Sequence, residues 1–390
     1  MEKKEINVGF IINYRLDGWL GVTNYYINLF NVINTFNKKK KYKIKINILS
    51  DNNLTNKEKT YFKGCKILQS DIFNRRSKIL KLLNLFLLTI FGKNFIYENF
   101  LINNNIHIIS HTSFLGKKSK IPSLKWFPDF QEIHFPENFS LRQRVARKID
   151  IILSQIHSTK ILISSKSVLK DLKKISTIAY NKSLVLHHYN LINIKKNINI
   201  KQIEKTYNIK LPTNYIYLPN HYWKHKNHIT VFKTINYLNK KYKKKIYLVT
   251  TGNNSDYRFP NYKNFLNNFL EKNKIKNQVL HIGIVKKDEV YSLFKNSFCI
   301  INPSLSEGWG NAVDYATFFK KIILLSKIPV HLEQNPSNGV FFKAKNYKDL
   351  AKKILILYNK KSFKKKKFNK SENNSLRFYK NYHKIIYSFF

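Results

Sequence analysis

The sequence predicts an α/β protein made of two parallel-sheet domains, and three observations carry that prediction. Short apolar runs alternate with longer amphipathic ones in both halves of the chain. A polar, lysine-rich passage near residues 190–210 interrupts the alternation, which then restarts. The third is the stretch 303–315, Pro-Ser-Leu-Ser-Glu-Gly-Trp-Gly-Asn-Ala-Val-Asp-Tyr. It joins a strand-like run, Phe298-Cys299-Ile300-Ile301, to a helix-like one, Ala312 to Phe319. Glu307 therefore sits on a strand-to-helix turn, the place where ligands bind in open α/β sheets. The unpaired N–H groups of the new helix favour an anion there, phosphate above all. The chain has only 11 glycines, and two of them, Gly308 and Gly310, fall in this turn.

In chain order, residues 6–12 read as a buried first strand, followed by a loop with Gly18 and Gly21 and a helix over 22–36. Residues 43–49 alternate as a second strand. An amphipathic basic stretch, 74–91, precedes a strand at 106–110, and 126–137 reads as a structured loop rich in Pro, aromatic and acidic residues. Residues 161–164 and 167–174 form a strand and its helix, and 183–187 the last strand of this half. After the break come strand 215–218, helix 227–239, strand 245–250, helix 262–273, strand 279–282 and helix 287–296. The 298–319 segment and strand 322–325 complete the second half. The tail beyond Lys360 is lysine-rich, then aromatic, and reads as a terminal helix.

With 390 residues the chain is long enough for two cores. Its 71 basic and 22 acidic residues leave a formal charge of +49. Such a charge suits nucleic acid or anionic lipid. The lysines are spread through the chain together with Asn, Ile, Tyr and Phe, a usage that AT-rich coding also produces. Cys65 and Cys299 have no zinc or redox spacing. No secretory signal opens the sequence, and the apolar run 79–91, broken by Lys81 and Asn84, is too short to span a bilayer. The expectation is a cytoplasmic protein, peripheral on the inner face of the membrane if the 74–91 stretch, with Arg75, Arg76, Lys78 and Lys81 beside Leu and Phe, lies on lipid. The other reading of that stretch, and the one its composition favours, is an ordinary core-facing helix.

Taken together, three segments resemble family 4 glycosyltransferases of the GT-B fold, the glycosyl transferases group 1 type. They are 303–315 with Ser326-Lys327-Ile328-Pro329-Val330-His331-Leu332-Glu333 after it, Leu218-Pro219-Asn220-His221-Tyr222-Trp223-Lys224-His225-Lys226-Asn227-His228, and Trp126-Phe127-Pro128-Asp129-Phe130-Gln131 with His134-Phe135-Pro136-Glu137. Ser164-Ser165 with Asp171, and the Gly18/Gly21 loop, resemble the family more weakly. The resemblance implies two Rossmann-like parallel-sheet domains facing a central cleft. Residues 1–190 would form the acceptor-side domain, 191–213 a linker and 214–365 the nucleotide-sugar donor domain, with 366–390 a tail helix packing back on the first domain. It further implies transfer of a hexose from a UDP- or GDP-linked sugar to a lipid-linked or surface-polysaccharide glycan, as in lipopolysaccharide synthesis, with retention of configuration by front-face displacement. No cofactor is implied. No Asp-x-Asp triplet occurs in the chain, and no metal site is expected.

The chemistry of such a site centres on a diphosphate leaving group, whose growing charge fixed cations and backbone dipoles stabilise. By the resemblance, Lys226 is the phosphate-binding lysine. His221 stands where many members have arginine, and Lys224 is the substitute if imidazole does not serve. Glu307 matches the first of a glutamate pair and would orient donor-sugar hydroxyls. The second glutamate position is Tyr315. Either Asp314 reaches the ribose from next door, about 100° around a regular helix, or Tyr315 and other groups replace the contact. Backbone N–H groups along Gly308, Trp309, Gly310 and Asn311 would face phosphate. Gly283 lies where the nucleotide base meets backbone, or is a plain turn glycine. Gly18 and Gly21 would let the first loop approach the donor closely, or simply form a tight turn. Asp129 and His134 would orient or deprotonate the acceptor hydroxyl, or scaffold their loop. Two other classes remain open: a non-catalytic homologue that binds nucleotide sugars, and a basic nucleic-acid-binding protein, for which the chain shows no localised basic arm.

Overall fold

A computed structural model describes residues 5–12, 20–37, 43–74, 77–111, 114–194, 196–359 and 374–390. The chain divides into two compact units, one of residues 1–133, 140–191 and 372–390, the other of 134–139 and 192–371.

The first runs β1 (Glu5–Ile11), α1 (Leu20–Phe36), β2 (Lys43–Ser50), α2 (Asn56–Thr60), β3 (Lys66–Gln69), α3 (Lys78–Phe91), α4 (Phe95–Asn103), β4 (Ile108–His111), β5 (Ser123–Phe127), α5 (Gln131–His134), α6 (Leu141–His157), β6 (Lys160–Ile163), α7 (Lys166–Ile175), α8 (Thr177–Asn181) and β7 (Ser183–Val185). The second continues with α9 (Ile200–Tyr207), β8 (Ile216–Leu218), α10 (His228–Tyr242), β9 (Leu248–Thr251), α11 (Tyr262–Lys272), β10 (Val279–Gly283), α12 (Lys287–Asn296), β11 (Cys299–Asn302), α13 (Asn311–Phe318), β12 (Ile323–Ser326), α14 (Pro329–Gln334), β13 (Gly339–Phe342) and α15 (Tyr347–Asn359). Helix α16 (Asn374–Tyr387) returns to the first unit.

Each unit is an open parallel sheet. The first has seven strands in the order β3-β2-β1-β4-β5-β6-β7, the second six in the order β10-β9-β8-β11-β12-β13. Parallel sheets are covered on both faces, so their strands read as continuous apolar runs. Val8 and Phe10 of β1 pack with Tyr26, Leu29 and Phe30 of α1 on one face, while Ile11, Leu49 and Ile109 meet Tyr97 and Leu101 of α4 on the other. In the second unit Leu218 faces α10 and α15, and Tyr217 faces α12 and α13. Phe378, Tyr379, Tyr382 and Ile386 of α16 complete the first core beside α1, and the Tyr382 hydroxyl donates to Ser110 Oγ at 3.1 Å.

Three segments differ from the sequence reading. The stretch 66–69 is an edge strand paired with β2, and 123–127 is an interior strand rather than part of a loop. Residues 191–213 are more than a connector, because α9 begins at an Asn199–Gln202 capping box and buries Ile203 in the second core.

Candidate functional site

In the second sheet the strand order reverses between β8 and β11, and crevices at such switch points bind ligands. Three loops meet at the carboxyl ends of β8, β11 and β12: 219–227, 303–310 and 327–328. Their side chains form one polar network. Lys226 Nζ donates to Glu307 Oε1 at 2.7 Å, with the two side chains only 15 % and 11 % exposed. Ser304 Oγ lies 2.6 Å from the same carboxylate oxygen and 2.8 Å from Asn302 Oδ1. Its single proton goes to the charged acceptor, the stronger bond. Asn302 Oδ1 accepts from Asn220 Nδ2 at 3.1 Å, which ties β11 to the loop after β8.

Burial alone would raise the Glu307 carboxyl. The Lys226 charge and hydrogen bond, aided by the Ser304 hydroxyl, outweigh burial and hold it down to about 2. Glu307 is thus ionised at neutral pH, and both of its bonds among the described residues fall on Oε1. Oε2 is left for ligand hydroxyls, and Lys226 keeps two of its three N–H donors. The folded value lies below the ordinary 4.5, so the pair's stabilisation is complete above about pH 4.5 and is lost as pH falls toward 2. Glu307→Gln is expected to flatten the decline of Tm across that window, read from melting curves against pH; an unchanged slope would show that the pair is not formed.

Buried His331 braces the same strand ends. Its Nδ1 lies 2.9 Å from the Ser326 carbonyl oxygen and its Nε2 3.3 Å from Asn302 Nδ2. That geometry assigns the proton to Nδ1, leaving Nε2 as acceptor. Burial lowers its pKa and keeps the ring neutral. Gly310 opens α13 at φ +110°, a conformation that favours glycine, and a Cβ there would sit 3.3 Å from Gln334 Oε1. Gln334 Nε2 donates to the Gly310 carbonyl at 3.2 Å, while its buried Oε1 has no hydrogen-bond partner among the described residues.

The Lys226 loop is locked from below by a buried acid. Asp256 Oδ2 accepts the Lys224 N–H at 3.1 Å, and Oδ1 takes the Arg258 N–H and Nε at 3.2 and 3.0 Å. The Arg258 guanidinium stacks 5.3 Å from the Trp223 ring. The Leu305 N–H donates to the His225 carbonyl at 2.8 Å, and Asn227 Nδ2 to that of Pro303 at 3.0 Å. Lys226 and Glu307, 81 positions apart, are thereby held in register.

The other sequence-derived residues fall as follows. His221 Nδ1 accepts the Asn253 N–H at 2.7 Å, and burial, then the Lys226 charge, lowers its pKa. It is a neutral imidazole and no cationic replacement for arginine. Nor does Lys224 take that role in this structure, since its ammonium stands 4.1 Å over the Phe259 ring. Gly308 and Asn311 are half-buried around the start of α13, whereas the Trp309 ring is buried in the fold. Asp314 lies half-buried in the first turn of α13. Tyr315 packs its ring 5.6 Å from Tyr291 and 5.4 Å from Phe294.

Gly283 ends β10 at φ +91°, its carbonyl accepting the Gly252 N–H at 2.8 Å, with open space where a Cβ would be. Gly21 is exposed in the first turn of α1, also with open space at Cβ, and Gly18, like Arg75 and Arg76, lies outside the described residues. Asp129 is half-buried before α5, accepting from Gln131 Nε2 at 3.2 Å, and His134 is exposed at the end of α5. Sequence reasoning assigned no role to Asn220, Gly252, Asp256, Asn302 or Ser304. Gly252 carried a local signal, a glycine directly after a strand. At φ +115° its Cβ would meet the His221 backbone nitrogen at 3.0 Å.

Two doubly wound parallel sheets make a fold of the GT-B type, and known structures agree. A glycosyltransferase from Rickettsia africae ESF-5 superposes with a TM-score of 0.68 at 16 % identity, over 99 % of this chain and 98 % of that one. Anabaena Alr3699/HepE, in complex with UDP and glucose, gives 0.67 at 12 % identity over 98 % and 100 %. The lipopolysaccharide outer core galactosyltransferase WaaB gives 0.63 at 14 % over 99 % and 100 %. By sequence no curated protein matches the chain. Residues 199–375 match the family model of glycosyl transferases group 1, which contains the whole Lys226–Glu307 site. The second half of this chain is therefore similar to the group 1 glycosyltransferases over those residues.

Proposed function

We propose that the protein transfers a sugar from a UDP- or GDP-linked donor to a hydroxyl of a lipid-linked or surface-polysaccharide glycan, with retention and without a metal ion, on the cytoplasmic side of a membrane. The observation that carries this reading is the buried Lys226–Glu307 pair at the switch point. Lys226 and the N–H groups opening α13 meet the diphosphate and take the charge that develops as the bond from the anomeric carbon to phosphate breaks. Glu307 Oε2 accepts from sugar hydroxyls and holds the ring. Asp314 takes the ribose. His221 donates from Nε2 as a neutral group, and Gly283 leaves room for the base. In front-face displacement the acceptor oxygen bonds the anomeric carbon on the side the phosphate leaves, and its proton passes to the departing phosphate oxygen. Asp129 and His134 orient that hydroxyl.

The reading is tested by thermal shift with UDP- and GDP-sugars, followed by product analysis on a lipid-linked acceptor pool with and without chelator. One donor is expected to raise Tm, with the rise absent from Glu307→Ala and Lys226→Ala; a rise unaltered in both variants overturns the site. Donor binding with neither transfer nor hydrolysis would make the protein a non-catalytic binder. Steeply salt-dependent binding to nucleic acid, with no donor response, would favour the nucleic-acid class.

A further inference from the structure

Helix α6 carries apolar residues on the wrong side for a core helix. It buries Ile151, Ser154 and His157, yet Leu141, Val145, Ile149, Ile152 and Ile156, spaced as one helical stripe, are 42 to 69 % exposed. Helix α3 repeats the pattern: Leu87 and Leu88 are buried, while Ile79, Leu82, Phe86 and Ile90 are 54 to 78 % exposed. Both stripes are flanked by exposed cations, Lys78 and Lys81 on α3 and Arg142, Arg144 and Lys148 on α6. Helix α3 has no acidic residue, and the one in α6, Asp150, is held by Lys125 at 2.9 Å.

The two helices share a side of the first sheet. The chain steps in the same direction from β3 to β4 and from β5 to β6, and right-handed crossovers place α3, α4 and α6 on the face opposite α1. One segment joins their ends. The Lys118 N–H donates to the carbonyl of Gly92, the C-cap of α3, at 3.1 Å, and the Gly116 N–H to that of His157, the last residue of α6, at 3.2 Å.

We infer that α3 and α6 together form a membrane-docking surface for the headgroup and upper acyl region of an anionic bilayer. Exposed apolar stripes of this extent mark an interaction surface, and their cationic borders choose among the partners. A second copy of the chain would bring another +49 charges against the same borders. Anionic lipid instead offers negative headgroups beside an apolar layer. Among the described residues no single helix is long and apolar enough to cross a membrane; α3 and α4 are so only as a pair bent by 97°, and that pair buries Leu87, Leu88, Tyr97 and Leu101 in the fold, which leaves the exposed stripe for contact along the surface. This surface belongs to the first unit alone and stands or falls independently of the donor reading.

The test is flotation of the full chain with phosphatidylcholine vesicles, with and without phosphatidylglycerol. Wild type should float with the mixed vesicles only. The pairs Leu82→Glu/Phe86→Glu and Ile149→Glu/Ile152→Glu should each weaken binding by about tenfold or more, with Tm and donor-induced thermal shift retained. Should a glutamate pair lower Tm, Leu82→Ser/Ile149→Ser makes the same comparison. Binding that resists all these changes and yields only to salt would mean bulk charge alone and overturn the inference. A wild-type dimer that the same substitutions dissociate, seen by light scattering, would make the surface a protein interface and overturn it too.

Discussion

Replacing Lys226 with alanine is expected to cut turnover by about 10²–10³ at saturating donor, the usual cost of removing one donor to a developing oxyanion. Among the described residues Lys226 is the cation paired with Glu307, and the 219–227 loop is pinned from both sides, by Asp256 and by Pro303. Stability should fall as well, by about 3–5 kcal/mol, because Glu307 would remain ionisable and buried without its cation. The two effects separate in a double variant. Lys226→Met with Glu307→Gln removes both charges, and should recover much of the stability in urea melts while recovering none of the turnover. If Lys226→Ala kept wild-type kcat with its fold intact, the leaving group would have to be stabilised elsewhere.

Local patterns were legible in the sequence, and long-range ones were not. The Pro303–Tyr315 turn declared itself because an apolar run, two glycines and a helix-like run lie within a short stretch. Lys226 was marked by the family resemblance of 218–228, since a lysine among so many carries no local signal of its own. Asn302, Ser326 and His331 form one brace only because β11 and β12 pair in parallel, bringing the ends of two strands side by side. Asp256 reaches the Lys224 backbone across 32 positions, a separation with no periodic signature. The charge state of His221 was equally hidden, since it depends on a hydrogen bond from Asn253 and on burial beside Lys226. Composition misled once: among the lysines of 190–210, Ile200, Ile203 and Tyr207 keep helical spacing, and that periodicity, rather than overall polarity, decided the fold of α9.

Tyr315 tests whether the missing second glutamate can simply be put back. Its ring fills the space between α13 and α12, against Tyr291 and Phe294, and burial raises its hydroxyl well above the ordinary range. Tyr315→Glu would therefore set a carboxylate against the Tyr291 and Phe294 rings. The expected cost is about 2–4 kcal/mol in denaturant unfolding, from lost packing and a desolvated acid, with no gain in donor affinity. Tyr315→Phe keeps the ring and should cost only about 1 kcal/mol. Asp314→Asn, one position away in the first turn of α13, should leave stability nearly unchanged and raise the donor KM several-fold. A stable Tyr315→Glu protein that binds donor more tightly would overturn this assignment, because the side chain would then have to leave the aromatic cluster for the ligand. The aromatic contacts argue against that outcome: on the proposed reading, a Tyr315 packed in the core leaves the ribose to a neighbour, and Asp314 is the acidic residue in the first turn of α13.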